Sequence, residues 1–212
     1  MSEIQHPLST TASALDETDL NPNAIALPAH RLRLRKTVVM VGMMGAGKTA
    51  VGKALATRLD VPFLDSDHEI EAAANMSVPE IFARDGEAFF RTKETQVILR
   101  LLDGHRGILS TGGGAFLSDV NRQNISERGV SVWLDAALPL LWQRVRHKDS
   151  RPLLQTADPK GALTEIYNAR VPIYQKADLR VVSETGMSID AMADRVCVAL
   201  LQRPDVLEIL DD

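Results

Sequence analysis

Lys48 and Thr49 close the run Gly42-Met43-Met44-Gly45-Ala46-Gly47-Lys48-Thr49, which has the spacing G-x-x-x-x-G-K-T. An ammonium and a hydroxyl set behind glycines suit a polyphosphate and its metal ion. The glycines let backbone N–H groups approach phosphate oxygens. Lys48 would then reach the β- and γ-phosphates, and Thr49 would offer its hydroxyl to Mg²⁺. Asp65 and Asp67 form a second group, suited to a metal and to a hydroxyl-bearing substrate. Gly112, Gly113 and Gly114 are consecutive. Each adds backbone entropy that folding must remove, so the run makes sense where a ligand approaches backbone amides closely. Arg151-Pro152 is the most committed point of a polar stretch long enough to serve as a lid, and a basic lid would close over phosphates.

These residues need elements to place them. Val38-Val39-Met40-Val41 is apolar and rich in β-branched residues, which predicts a buried strand ahead of Gly42. After Thr49, Val51, Leu55 and Leu59 recur at helical spacing. Strand, glycine-rich turn and helix in that order are the context of a P-loop, and the helix brings unsatisfied N–H groups and a positive dipole end to the same spot. A plain βα turn with a solvated lysine is the bland alternative. A second one is a dinucleotide fingerprint. Gly45-x-Gly47-x-x-Ala50 fits it, and Asp65 and Asp67 lie near the place of a ribose-binding acid. It leaves Gly42 and Lys48-Thr49 unexplained, and no Tyr-x-x-x-Lys pair follows Tyr167 or Tyr174.

Residues 61–64 predict a second strand ending at Asp65-Ser66-Asp67. Ligands of open α/β sheets sit off the carboxyl ends of strands. One of the two aspartates could instead cap the following helix. Ser77-Val78-Pro79-Glu80 is a capping box that opens a short helix stopping at Gly86. A longer helix follows to about 103, with Arg91, Lys93 and Glu94 among its polar residues. Strands are expected at 107–110, 130–134 and 179–182. Helices are expected from 118 to about 128, 138 to about 147, 161 to about 176, and 189–201. Strands and helices alternate throughout, so the class is α/β with a parallel sheet.

The chain has 212 residues, 45% hydrophobic and 25% charged, which suits one domain with a substantial core. A net charge of −4 gives no global attraction to nucleic acid. One cysteine, Cys197, excludes an internal disulfide and points to a reducing compartment. No run reaches the length of a membrane span, and the first residues lack the basic-then-apolar order of a secretory signal. Residues 1–35 are expected as a flexible extension, in which Arg31, Arg33, Arg35 and Lys36 are a solvated lead-in to the first strand. The domain proper is expected at 36–203, with its lid at about 148–160, and an acidic, frayed tail from 204.

The motifs together resemble shikimate kinase, a small family of the nucleoside-monophosphate-kinase-like P-loop fold. The resemblance covers about residues 36–202. Gly42–Thr49 looks like its Walker A loop, and Phe63-Leu64-Asp65-Ser66-Asp67 like its Asp-x-Asp motif. Phe90-Arg91 with Glu94 resembles its substrate helix, and Ser110-Thr111-Gly112-Gly113-Gly114 its triple-glycine loop. Arg151-Pro152-Leu153-Leu154 matches the lid, and Ala169-Arg170-x-Pro172-x-Tyr174 the segment after it. The departures are Thr49, where the family often has serine, the N-terminal extension, and a lid stretch between Leu154 and Lys160 that offers no clear ligand.

The resemblance implies a three-layer fold with five parallel strands in the order 2-3-1-4-5, a lid and a substrate-binding segment. It implies transfer of the γ-phosphoryl group of ATP to the 3-hydroxyl of shikimate, in chorismate and aromatic amino acid synthesis. Arg91 and Arg170 would hold the substrate carboxylate, for which a planar guanidinium is suited. Asp67 would position, or deprotonate, the attacking hydroxyl, and the amides of Gly112, Gly113 and Gly114 would complete the pocket. Gly45, Ala46, Gly47, Lys48, Thr49 and Ala50 would hold the phosphates. Mg²⁺ would sit on Thr49 and, through water, on Asp65. Arg151 would face the transferring group, with Arg144 and the backbone near Gly186 on the adenine side. Shikimate and ATP are the expected partners of a cytoplasmic monomer that engages neither nucleic acid nor membrane. A gluconate kinase on the same fold is the nearest rival, and a non-catalytic nucleotide-binding regulator the rival of another class.

Overall fold

The run Thr37–Val41 forms β2, and all of its residues are buried. Only a strand with neighbours on both edges and helices on both faces can be apolar throughout. A computed structural model, which describes residues 32–104, 106–147 and 152–210, places β2 at the centre of a five-stranded parallel sheet. Its companions are β3 (Phe63–Asp65), β4 (Ile108–Ser110), β5 (Gly129–Ala136) and β6 (Leu179–Ser183). The order is β3-β4-β2-β5-β6, which is 2-3-1-4-5 when these five strands are counted alone. The register sets Met40 beside Ser110 and Val132, and Asp65 beside Ser110. The carboxyl ends of β2, β3 and β4 therefore finish together, at the loops that carry the motifs.

The helices are α1 (Lys48–Leu59), α2 (Ser66–Ala74), α3 (Val78–Gly104), α4 (Asp119–Arg128), α5 (Leu138–Val145), α6 (Pro159–Tyr174) and α7 (Ile189–Leu201). Asp65, Ser118, Asp158 and Ser188 cap α2, α4, α6 and α7 with side-chain oxygens. Glu80 accepts from the Ser77 amide at 2.8 Å, the capping-box bond expected there. Gly86 breaks α3 at φ 80° and ψ 171°, so the two helices expected around it meet at a kink. Ile70, Ile81 and Phe90 form a small core of their own beneath α2 and α3, apart from the main core around β2.

Two expectations at the chain ends need correction. Residues 204–210 are not frayed, and the extension does not run through 35. Leu32–Leu34 (β1) and Leu207–Ile209 (β7) pair as an antiparallel ribbon. Leu32, Leu34, Val206 and Leu207 are buried beneath it. The charges form the other face. Glu208 pairs with Arg35 at 2.5 Å and Arg33 at 3.9 Å, and Asp205 pairs with Lys36 at 2.8 Å. The basic lead-in thus has acidic partners from the far end of the chain. Strands this short carry no readable period, and only the long-range pairing stabilises them. Arg31 lies outside the described residues.

Candidate active site

The amino end of α1 differs from those of α2, α4, α6 and α7. Gly47 precedes it at φ 97° and provides no side-chain cap, and no acidic residue stands in the first turn. Its first amides are left for an anion. Gly45 is also left-handed, at φ 81°, and a Cβ there would stand 2.6 Å from Val145 Cγ1. The loop is therefore packed as well as bent. Lys48 Nζ donates to the carbonyls of Gly42 at 2.9 Å and Met43 at 3.1 Å, so the ammonium is held over the loop. Thr49 Oγ1 lies 3.4 Å from Ser110 Oγ, at the end of β4.

A cleft of about 480 Å³ opens above these strand ends. Residues 44–51, Asp65, Asp67, residues 110–113, Arg144 and Ser183 line it, and Met187 and Met192 are among the residues that close it. Every expected P-loop residue from Gly45 to Ala50 is on that wall. Arg144 donates from Nη1 to Gly45 O at 3.3 Å and from Nη2 to Ser183 Oγ at 3.3 Å, which fixes it across the loop. Burial lowers its pKa. Gly186, at φ 83°, makes the turn before α7 and does not itself line the cleft.

Asp65 does cap α2: its Oδ1 accepts from the amides of Asp67 at 3.1 Å and His68 at 3.4 Å. It also lines the cleft, so capping and a ligand role share one side chain. Asp67 is different. Its Oδ1 is buried and has no hydrogen-bond partner among the described residues. Burial pushes its pKa up, Asp65 adds to the rise, and Lys48 and Arg91 offset part of it.

The three glycines explain themselves here. A Cβ on Gly112 would stand 2.8 Å from Asp67 Oδ1. On Gly113 it would stand 3.6 Å from Arg170 Nη1, and on Gly114 2.6 Å from both Nη atoms of Arg91. Each glycine thus faces one of the three charged residues expected to hold substrate. Arg91 and Arg170 are not part of the cleft wall around the P-loop; the glycine loop brings them to it. Arg151 lies outside the described residues.

A family model described as shikimate kinase matches residues 44–201. A shikimate kinase from Ruegeria pomeroyi is 68% identical over 176 residues, covering 83% of this chain and 90% of that protein. The chain belongs to the shikimate kinase family. A second shikimate kinase, from Cereibacter sphaeroides, is 63% identical over 83% of this chain and 88% of its own. The solved shikimate kinase of Acinetobacter baumannii in complex with shikimate is 38% identical, with a TM-score of 0.74 over 79% of this chain and 93% of that one. The strand order 2-3-1-4-5 that the resemblance implies is the order of this sheet.

Some of the site was not read from the sequence. Glu94 was noted without a role. It is 1% exposed, and its Oε2 accepts from Arg91 Nη1 at 2.9 Å. The spacing held that signal, because residues three apart share a helix face. Tyr174, four residues after Arg170, likewise shares its face, and its hydroxyl reaches the glycine loop. Met192 carried no signal, because methionine on a helix face reads as core, and Met187, in the turn before α7, carried none either.

Proposed function

We propose that this chain transfers the γ-phosphoryl group of ATP to the 3-hydroxyl of shikimate, giving shikimate 3-phosphate and ADP for aromatic biosynthesis. The observation that carries the reading is the glycine loop, whose three residues face Asp67, Arg170 and Arg91. A ring with one carboxylate and several hydroxyls matches two guanidinium groups and one unpartnered carboxylate.

In this reading Arg91 and Arg170 hold the carboxylate, and Asp67 accepts the proton of the attacking hydroxyl or aligns it. The substrate oxygen bonds to the γ-phosphorus as the bond to the β,γ-bridging oxygen breaks. Lys48 and the amides of residues 45–50 stabilise the phosphate charge, so the chemistry is positioning and electrostatics with no covalent enzyme intermediate. Arg144 and the turn at Gly186 flank the base. Arg151 is proposed to come in with the lid and face the transferring group, where such an arginine contributes about 10³–10⁵ in rate.

Mg²⁺ is part of the proposal. Thr49 and Ser110 offer hydroxyls, and Asp65 ends the neighbouring strand beside Ser110. One carboxylate and hydroxyls, completed by phosphate oxygens and water, are a donor set Mg²⁺ accepts. When bound it would supply charge neutralisation at the β- and γ-phosphates. A cytoplasmic monomer is also proposed; the buried, unpaired Cys197 supports a reducing compartment. Among the described residues no helix is long and apolar enough to cross a membrane.

The test is ADP release with Mg·ATP, with and without shikimate, and with gluconate as control. Strong stimulation by shikimate alone, with phosphate on its 3-hydroxyl, is expected. ATP binding without shikimate-dependent turnover would overturn the reading.

A further inference from the structure

Tyr174 ends α6 and is fully buried, with its ring between Phe116 and Trp133 at centroid separations of 6.4 Å. Its hydroxyl donates to the carbonyl of Gly113 at 2.5 Å. Arg170 Nη1 donates to the same carbonyl at 3.3 Å. Two donors from one helix therefore meet on one oxygen of the glycine loop. The rest of the turn uses other groups: Gly112 N donates to Ser66 Oγ, Ala115 N to Gly112 O, and Leu117 N to Gly114 O. None of these bonds uses the amides of Gly113 or Gly114.

In a trans peptide plane the carbonyl and the following N–H point in opposite directions. Whatever fixes the Gly113 carbonyl towards α6 turns the Gly114 N–H away from α6. Gly113 and Gly114, on either side of this plane, carry no side chain that would hold it, and glycine rotates more freely than any other residue. The bond from Tyr174 supplies that restraint. We infer that Tyr174 is a positioning residue for the substrate: its hydroxyl sets the Gly113–Gly114 peptide plane and, through the shared carbonyl, the head group of Arg170. Burial raises its pKa, so the phenol stays a donor across the working range. The same bond ties the glycine loop to α6, the helix that follows Pro152–Leu154.

The inference rests on the shikimate reading, and the experiment separates the two. Tyr174→Phe keeps the ring packing and removes only the hydroxyl. Steady-state kinetics of the parent and the variant are measured with each substrate varied. The KM for shikimate should rise about fivefold to tenfold, the loss set by one buried hydrogen bond. The KM for ATP should stay within about twofold, since the P-loop makes no contact with Tyr174 of this kind. A general loss of structure would raise both constants together, and that result overturns the inference. So does an unchanged KM for shikimate. A parent enzyme without shikimate-dependent turnover overturns the underlying reading instead.

Discussion

Asp67 carries a conflict at the scale of a single residue. The base role proposed for it needs a charged carboxylate, while burial favours the neutral acid. Burial of Glu94 raises its pKa too, against the pull of Arg91. The sign follows from linkage. A carboxyl whose folded pKa lies above its unfolded value contributes stability below the unfolded pKa and loses it as pH rises through the folded one. Asp67→Asn, neutral at every pH, should melt higher than the parent at neutral and alkaline pH, with the gap closing in acid. Thermal melts across a pH series check this. Its turnover should fall by about 10²-fold or more, while shikimate binding weakens much less. A variant that keeps most of its turnover would remove the base role. In the parent, kcat should decline as pH drops through the pKa of Asp67, which burial raises. Residue type and spacing singled out Lys48 and Asp67, whereas Arg91 and Arg170 stand out from ordinary charged helix faces only through the family resemblance. The unpartnered oxygen of Asp67 was not legible, since burial depends on what packs over a side chain.

Among elements, the glycine loop and the terminal ribbon do separate work. Gly114→Ala would drive a methyl into the Arg91 guanidinium, 2.6 Å away. The KM for shikimate should rise about tenfold or more, because small misplacements of a positioning group are costly, and the KM for ATP should hold. Initial-rate kinetics with each substrate varied distinguish the two. The ribbon lies at the amino end of β2, across the sheet from the cleft. Leu207→Ala should therefore cost about 2–4 kcal/mol in urea unfolding and leave kcat unchanged. The core strands could be read because they are short, continuous apolar runs, and the helices because their apolar residues recur with a period near 3.6. The ribbon could not. Three residues at 32–34 and three at 207–209 are unremarkable alone, and their partner is the opposite end of the chain.

Over the whole molecule, ligands and stability are linked. At a concentration of about 100 times its Kd, a ligand stabilises the fold by about 2.7 kcal/mol. In a domain of this size that raises Tm by about 5–10 °C. Mg·ATP and shikimate should each produce such a shift. Chelating Mg²⁺ with EDTA should abolish turnover and shrink the ATP shift while the shikimate shift persists; a calorimetric scan reads all three. The parallel order of the sheet could be expected from the alternation of strands and helices, because crossovers between parallel strands leave few topologies. How the two ends of the domain meet has a further consequence. Leu32 lies opposite Ile209, so β1 and β7 are a hairpin that lacks only its turn. An Asn-Gly dipeptide is the connection such a pair favours. Residues 32–209 could thus be closed into a ring without rebuilding any strand, and the backbone could be reopened at a surface turn far from the cleft. The order of elements along the chain is in that sense one choice among several that the same packing would accept.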